Sequence, residues 1–307
     1  MDMGKIRLPN FLLVGAAKSG TTSLYHYLND HPQIYMSPVK EPKFISGQFC
    51  QFPFQGKGDN LIEEGIVKTF DVYENLFREV DGEKAIGEAS ADNLYYYEHS
   101  IKYIKKYLGE VKIIVALRNP VDRAFSSYTH LRRDMREDLT FEQAIQAEKQ
   151  RKKQNWEFIW FYIDVGFYYK QVRAFIDNFN EVKICLYDDL SKRPKELLTE
   201  IYEFLDVDKN FAPRIYIKHN VSGVPKSGFL QRIMNKQNLL KSITKNSIKP
   251  FLSEKRQKNL LEKFKALNLK KPQLNPKTRD YLRNFYREDI RKLQDLIHRD
   301  LSHWLGP

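Results

Sequence analysis

Five short, mostly apolar segments stand out from the polar background of the chain: FLLVG (11 to 15), QIYMS (33 to 37), KAIGE (84 to 88), VKIIVAL (111 to 117) and VKICLY (182 to 187). Apolar runs of this length, rich in Val and Ile, suit strands buried on both faces. Between them apolar positions recur every three or four residues, as at Phe141 and Ile145 and at Tyr168, Val172, Phe175 and Ile176. That spacing puts them on one face of a helix. Strands alternating with helices predict an α/β fold, with a parallel sheet of about five strands covered by helices on both faces. In such a sheet ligands collect outside the carboxyl ends of the strands. Gln48 to Gly58 reads as a long loop, and a C-terminal helix is expected at about Thr278 to Trp304. No linker divides the chain, so 1–307 reads as one domain.

With 42% apolar and 13% aromatic residues over 307 positions, the chain has ample material for a core. Its two cysteines, Cys50 and Cys185, argue against a disulfide framework and fit a reducing, cytoplasmic setting. The seven histidines show no ligand spacing with them, so no metal is expected. Met1 to Asn10 runs straight into FLLVG, too short for a secretory apolar region. No run reaches the roughly 18 apolar residues of a spanning helix. A soluble protein without a transmembrane segment is the expectation.

The net charge of +12 is local. Lys226 to Arg279 holds 15 Lys and Arg against two acids, Glu254 and Glu262, which leaves the rest of the chain near neutral. This Lys-rich, helical segment (226–279) contains an amphipathic stretch, Phe229, Ile233, Leu240 and Ile243, that a nucleic-acid or membrane-surface binder would use. Lacking a nucleic-acid motif, it reads instead as a charged, solvated helix pair, and no nucleic acid is expected as partner.

Two stretches carry chemistry. In VGAAKSGTTSLYHYL (14 to 28), Gly15 and Gly20 have the separation of a phosphate-binding loop. However, Thr21 follows the second glycine, and the loop lysine, Lys18, sits between the two. A strand ending at Gly15 and a helix opening at Thr21 would converge the backbone N–H groups of residues 18 to 23 on an anion. An inward lysine would lie near the first phosphate and its bridging oxygen, neutralising charge there without a metal. Alone, the motif also suits a glycine-rich turn with no ligand. In VKIIVALRNPVDRAFSSYTHLRR (111 to 133), Arg118 follows a strand and Pro120 suits the first turn of a helix. Arg118 and Ser126 could grip a second anion, or simply cap a strand end and face solvent. A magnesium-dependent kinase is the rival reading: VKICLYDD has the look of a metal-holding segment, although Asp188 or Asp189 equally suits a cap for a helix near Lys192 to Leu197.

Together the two stretches resemble, in order and context, the two nucleotide signatures of sulfotransferases that use 3′-phosphoadenosine 5′-phosphosulfate, with the carbohydrate, heparan-sulfate-like branch the nearest in pattern. SPVKEPKFIS (37 to 46), IGEASADNLYY (86 to 96), GFYYKQVRAF (166 to 175), LYDDLSKRPKELLTEIYEFLDV (186 to 207) and NVSGVPKSGF (220 to 229) resemble further segments of that family. The resemblance implies the P-loop-like sulfotransferase fold. It places Lys18, Ser19, Gly20, Thr21, Thr22 and Ser23 on the 5′-phosphosulfate, Arg118 and Ser126 on the 3′-phosphate, and Lys226 near the nucleotide. Glu88 falls on the family's catalytic base, ahead of His26 and His31 as rivals. Where the heparan-type enzymes follow this glutamate with lysine the chain has Ala89, and Lys40 is left to supply that charge. The implied reaction is transfer of a sulfo group to a hydroxyl, or less readily an amine, leaving adenosine 3′,5′-bisphosphate and requiring no metal. The expected acceptor is an anionic glycan or a small metabolite, with Lys270, Lys271 and Lys277 on its approach path.

Overall fold

The structure, a computed structural model, describes residues 6–213, 224–225, 269–270 and 272–306. All five apolar segments form strands: β1 (Phe11–Gly15), β2 (Ile34–Met36), β3 (Ala85–Ala89), β4 (Lys112–Leu117) and β5 (Val182–Leu186). They pair in parallel in the order β2-β3-β1-β4-β5. The crossover leaving β1 runs outward to β2, whereas those leaving β3 and β4 run the other way. The carboxyl ends of β1 and β4 therefore frame the crevice in which an open parallel sheet takes its ligand.

The connections are α1 (Thr21–Asn29), the short α2 (Phe44–Gly47), α3 (Asn60–Glu63) and α4 (Phe70–Asn75), then α5 (Tyr97–Leu108), α6 (Pro120–Arg133) and α7 (Phe141–Lys153). After these come α8 (Tyr168–Asn178), α9 (Tyr187–Lys192), α10 (Pro194–Phe204) and α11 (Pro276–Ile297). Alternation along the strands sorts the core into two layers. Phe11, Leu13, Ile114 and Ala116 pack on Leu24 and Leu28 of α1 and on Leu197 and Ile201 of α10. Leu12, Val14, Ile113 and Val115 face Ile104 of α5, Val121 of α6, Val172 of α8 and Leu282 of α11.

Local signals start these helices. Pro120 opens α6, with the Asn119 side chain accepting from the Val121 N–H at 3.0 Å. Thr140 and Gln143 form a reciprocal capping box on α7. The last helix begins two residues earlier than expected, because Asn275 accepts from the Lys277 N–H at 2.9 Å and Pro276 fits the first turn. It also ends earlier, at a left-handed His298 (φ 51°), after which Ser302–Trp304 form a separate turn. Most of the Lys-rich segment, with Lys226 and Lys271, lies outside the described residues. Its flanks pair antiparallel as β6 (Val224–Pro225) and β7 (Leu269–Lys270), while Lys270 and Lys277 are exposed. Among the described residues no helix is long and apolar enough to cross a membrane.

The β1–α1 turn admits only glycine at two points. Gly15 has φ 146°, and a Cβ there would sit 2.7 Å from Leu94 Cβ and 2.8 Å from the Ala91 carbonyl oxygen. Gly20 has φ 92°, and its Cβ would meet Leu190 Cδ2 at 2.6 Å and Tyr187 Cδ2 at 3.1 Å. Gly20→Ala should destabilise the fold by about 1–3 kcal/mol in denaturant titrations. Gly82→Ala, with a similar φ of 85° but nothing within 4 Å, should cost less; equal losses would mean that packing against α9 does not restrict Gly20.

Candidate active site

A cleft of about 460 Å³ opens where the topology places it, lined by residues that follow β1 and β4, by the 40–43 segment, by α6 and by residues 157–159. Five cations, Lys18, Lys40, Lys43, Arg118 and Arg136, reach its walls against two carboxylates, Glu41 and Glu157. Its floor is the start of α1. Gly20 caps that helix without a side-chain hydrogen bond and no acid occupies the first turn, so the positive end of the helix meets the cleft directly. Gly20, Thr21, Thr22 and Ser23 all line it.

Lys18 adopts a left-handed backbone (φ 71°). Burial, then the charge of Arg133, pushes its ammonium down to about 8, with Asp134 and Glu41 only partly offsetting them. Arg118 donates from Nη1 to the Lys18 carbonyl at 3.2 Å and lies 4.5 Å over the Tyr187 ring. Ser126, on α6, lines the same cleft. The two sequence stretches thus open into one cavity. Ser19 does not join them: it is fully buried, its hydroxyl lies beside Tyr168, and its N–H donates to the Ala16 carbonyl at 3.2 Å.

The carboxylates divide differently from the sequence expectation. Glu88 shares the Ile86 face of β3 and is fully buried, with Asp92, Glu41 and Lys40 among its electrostatic neighbours. It is absent from the cleft lining. Its Oε1 accepts from Ser90 Oγ at 2.5 Å, and Ser90 Oγ accepts in turn from the Lys43 N–H at 3.1 Å. Burial raises its carboxyl to about 8, so it is mostly protonated at neutral pH. Glu41 does line the cleft. Lys40 Nζ donates to its Oε1 at 2.5 Å, and its side chain keeps 34% exposure. Burial would raise its pKa, but Lys40 and Lys43 outweigh that and hold the carboxyl below the usual range. The sequence carried Glu41 inside the Lys-Glu-Pro segment without singling it out.

Other lining residues arrive through long-range contacts. Asp59, fully buried, accepts from the Gly56 N–H at 2.9 Å, the Glu157 N–H at 3.0 Å and Trp160 Nε1 at 2.9 Å, and it pairs with Arg136. It thereby fixes both Arg136 and Glu157 at the cleft, and Glu157 holds Lys43 Nζ at 2.6 Å. His130, also on the wall, is held well below its ordinary pKa by burial and by Lys18, Arg133 and Arg136. The rival bases lie elsewhere. His31 is buried against Tyr202 and Phe211, with Nε2 at 2.9 Å from the Asp208 carbonyl, and His26 does not line the cleft. Asp188 and Asp189 sit in the first turn of α9 rather than capping α10. Asp189 pairs with Arg193 and Arg299, Asp188 accepts from Trp304 Nε1 at 3.1 Å, and neither lines the cleft.

Comparison with known proteins adds the family context. A family model described as Sulfotransferase domain matches residues 8–296. A solved sulfotransferase from Alicyclobacillus acidocaldarius is 32% identical over 98% of this chain and 100% of its own, with a TM-score of 0.77. The membrane-associated sulfotransferase kil1 of Dictyostelium discoideum is 25% identical, matching 69% of this chain and 60% of that protein. The human bifunctional heparan sulfate N-deacetylase/N-sulfotransferase 2 is 28% identical, matching 66% of this chain and 22% of its own length. The chain thus spans less than two thirds of these two curated relatives.

The protonated Glu88 has a measurable consequence. An exposed glutamate releases its proton near 4.5, whereas the folded chain holds this one to about pH 8. The stability it contributes is complete below 4.5 and is lost as pH rises to 8, by at most about 1.4 kcal/mol per pH unit. Glu88→Gln keeps an acceptor for Ser90 without the titration. It should flatten this part of the stability profile in urea denaturation between pH 5 and 8.5. An unchanged slope would show that Glu88 is ionised in the fold.

Proposed function

The chain belongs to the sulfotransferase family, and we propose that it moves a sulfo group from 3′-phosphoadenosine 5′-phosphosulfate to a hydroxyl of a carbohydrate acceptor, with Glu41 as the proton acceptor. The observation that carries this reading is the juxtaposition, in one cleft at a helix N-terminus, of the desolvated Lys18 with the ionised Glu41. The cleft's chemistry fits the donor. Lys18 and the first-turn N–H groups of α1, with Thr21, Thr22 and Ser23, suit the 5′-phosphosulfate. Arg118 and Ser126 suit the 3′-phosphate, the guanidinium offering a planar fork to its oxygens. The donor supplies the sulfo group.

The residues divide the remaining work. Glu41 takes the acceptor's proton as its oxygen attacks, a contribution of about 10²- to 10⁴-fold in rate. Lys40, on Oε1, keeps that carboxylate ionised and oriented, leaving Oε2 for the proton. Lys18 meets the charge that develops on the departing phosphate, in a site where burial strengthens the interaction. Glu88 acts at one remove, as a positioning residue: through Ser90 it holds the Lys43 backbone, and with it the segment that carries Glu41. A carbohydrate acceptor is supported by the relation to the heparan sulfate enzyme.

Glu41→Gln should lower turnover by about two orders of magnitude or more while leaving affinity for adenosine 3′,5′-bisphosphate within about twofold in calorimetry. If Glu88→Gln abolished turnover and Glu41→Gln did not, the assignment would be reversed. Arg118→Ala should erase the preference for the bisphosphate over adenosine 5′-monophosphate, a loss of about tenfold or more. If thermal melts instead showed ATP with magnesium stabilising the chain and the bisphosphate without effect, the sulfo-donor reading would fail.

A further inference from the structure

Behind the turn that carries Lys18, polar side chains from three separate elements meet around Tyr168 with bonding capacity unused. Ser19 of the β1–α1 turn, Arg123 of α6 and Tyr168 of α8 are all fully buried, yet Ser19 Oγ, Arg123 Nε and Tyr168 Oη have no hydrogen-bond partner among the described residues. The Tyr168 hydroxyl lies beside the Ser19 hydroxyl and the backbone of Arg118, with the Arg123 guanidinium near enough to act on it. Burial pushes it up to about 12, so it keeps its proton and can donate as well as accept. Buried polar atoms are nearly always paired, because an unpaired one forfeits its bonds to water and gains none in return. Phenylalanine would fill the same place, in the core layer of Val172 and Phe175, without that cost.

The hydroxyl is a fixed point. The Tyr168 N–H donates to Asp289 Oδ2 at 2.9 Å, tying the start of α8 to α11, and Tyr286 Oη of α11 donates to the Ile163 carbonyl at 2.8 Å just before it. Tyr168, Asp289 and Tyr286 all lie outside the lining of the sulfo-transfer cleft. What the hydroxyl faces belongs to that cleft. Ser19 follows Lys18, whose backbone is left-handed (φ 71°), and the Lys18 carbonyl accepts from Arg118 Nη1 at 3.2 Å. The turn and Arg118 are therefore joined on the cleft side by that bond and meet again, on the core side, at Tyr168. Two anion sites that share one nucleotide have to keep the span that its ribose dictates.

Given the assignment of the cleft to 3′-phosphoadenosine 5′-phosphosulfate, we propose that Tyr168 is a positioning residue for sulfo transfer. Its hydroxyl donates to Ser19 Oγ and accepts from the Arg118 N–H as the nucleotide draws the two stretches in, and so sets the spacing at which one donor molecule bridges both anion sites. A nucleotide with a single phosphate leaves that spacing unused. The signature differs from that of an ordinary core tyrosine, whose hydroxyl is missed by the fold rather than by the ligand. Removing an oxygen that is unpaired in the fold costs the fold nothing.

The test is isothermal titration calorimetry of the whole chain with adenosine 3′,5′-bisphosphate and with adenosine 5′-monophosphate, with urea denaturation in parallel. Tyr168→Phe should leave the urea midpoint unchanged or raised, weaken the bisphosphate about fivefold or more, and leave the monophosphate within about twofold. In an Arg118→Ala background the same change should alter bisphosphate affinity by less than about twofold, since the coupled pair is already broken. Ser19→Ala removes the partner and keeps the ring; it should reproduce the selective loss at about threefold or more, and decides alone should Tyr168→Phe not be obtained folded. A native chain with no preference for the bisphosphate would overturn the donor assignment and the role of Tyr168 with it. A native preference that survives both substitutions, equal loss for the two nucleotides, additive effects of the Tyr168 and Arg118 substitutions, or a fall in urea midpoint with unchanged nucleotide affinities would each overturn the role of Tyr168 alone.

Discussion

Like charges held together away from water govern the cleft. Lys18 sits in the β1–α1 turn with Arg133 and Lys40 among its electrostatic neighbours, and burial with their repulsion pushes its ammonium down to about 8. Three of the surrounding cations are balanced, Lys40 by Glu41, Lys43 by Glu157 and Arg136 by Asp59, while among the described residues the Arg118 guanidinium meets only the Lys18 carbonyl and the Tyr187 ring. Lys18 forms no such ion pair among the described residues, and the helix end beside it carries no acid. An anion entering there meets an undercompensated positive field in a medium that screens poorly, where each charge–charge contact is stronger than in bulk water. Burial, reinforced by the same field, keeps His130 neutral on the cleft wall.

Holding that arrangement requires strained backbone as well as paired charge. Lys18, Glu41 and Lys43 all have positive φ, at 71°, 59° and 51°, conformations that cost a non-glycine residue about 1 kcal/mol or more each. The bonds that stabilise two of them come from the end of β3 and the residue after it. The Glu41 N–H donates to the Ala89 carbonyl at 2.9 Å, and the Lys43 N–H donates to Ser90 Oγ, which is itself fixed by Glu88. The neutral, buried carboxyl and the ionised, cleft-facing one are therefore parts of a single device, one positioning the segment and the other presenting it to the cavity.

Features set by local sequence were legible, and those set by distant contacts were not. The five strands, the glycine-constrained turn and the Pro120 helix start each rest on a few adjacent residues. Arg118, Ser126 and the Thr21–Ser23 hydroxyls reach the cleft because they follow directly from those elements. Ser19 was misplaced because backbone N–H convergence says nothing about where a hydroxyl turns, and here it turns toward Tyr168. The burial of Glu88 left no local trace for a related reason. It lies near the end of β3, where strand alternation puts it on the Ile86 face and it is fully buried, and no short pattern says how deeply a strand-end carboxyl is covered. Arg136 and Glu157 depend on Asp59, 77 and 98 residues away in sequence, which leaves no local trace.

Lys18 should regain its proton when a polyanion enters the cleft. Calorimetry of adenosine 3′,5′-bisphosphate binding at pH 8, in two buffers of different ionisation enthalpy, reads that proton directly. With Lys18 half-deprotonated at about pH 8 and fully protonated beside phosphate, uptake of about half a proton per nucleotide is expected. It should vanish in Lys18→Ala. Buffer-independent heats in the native chain, or uptake that survives Lys18→Ala, would contradict the central claim.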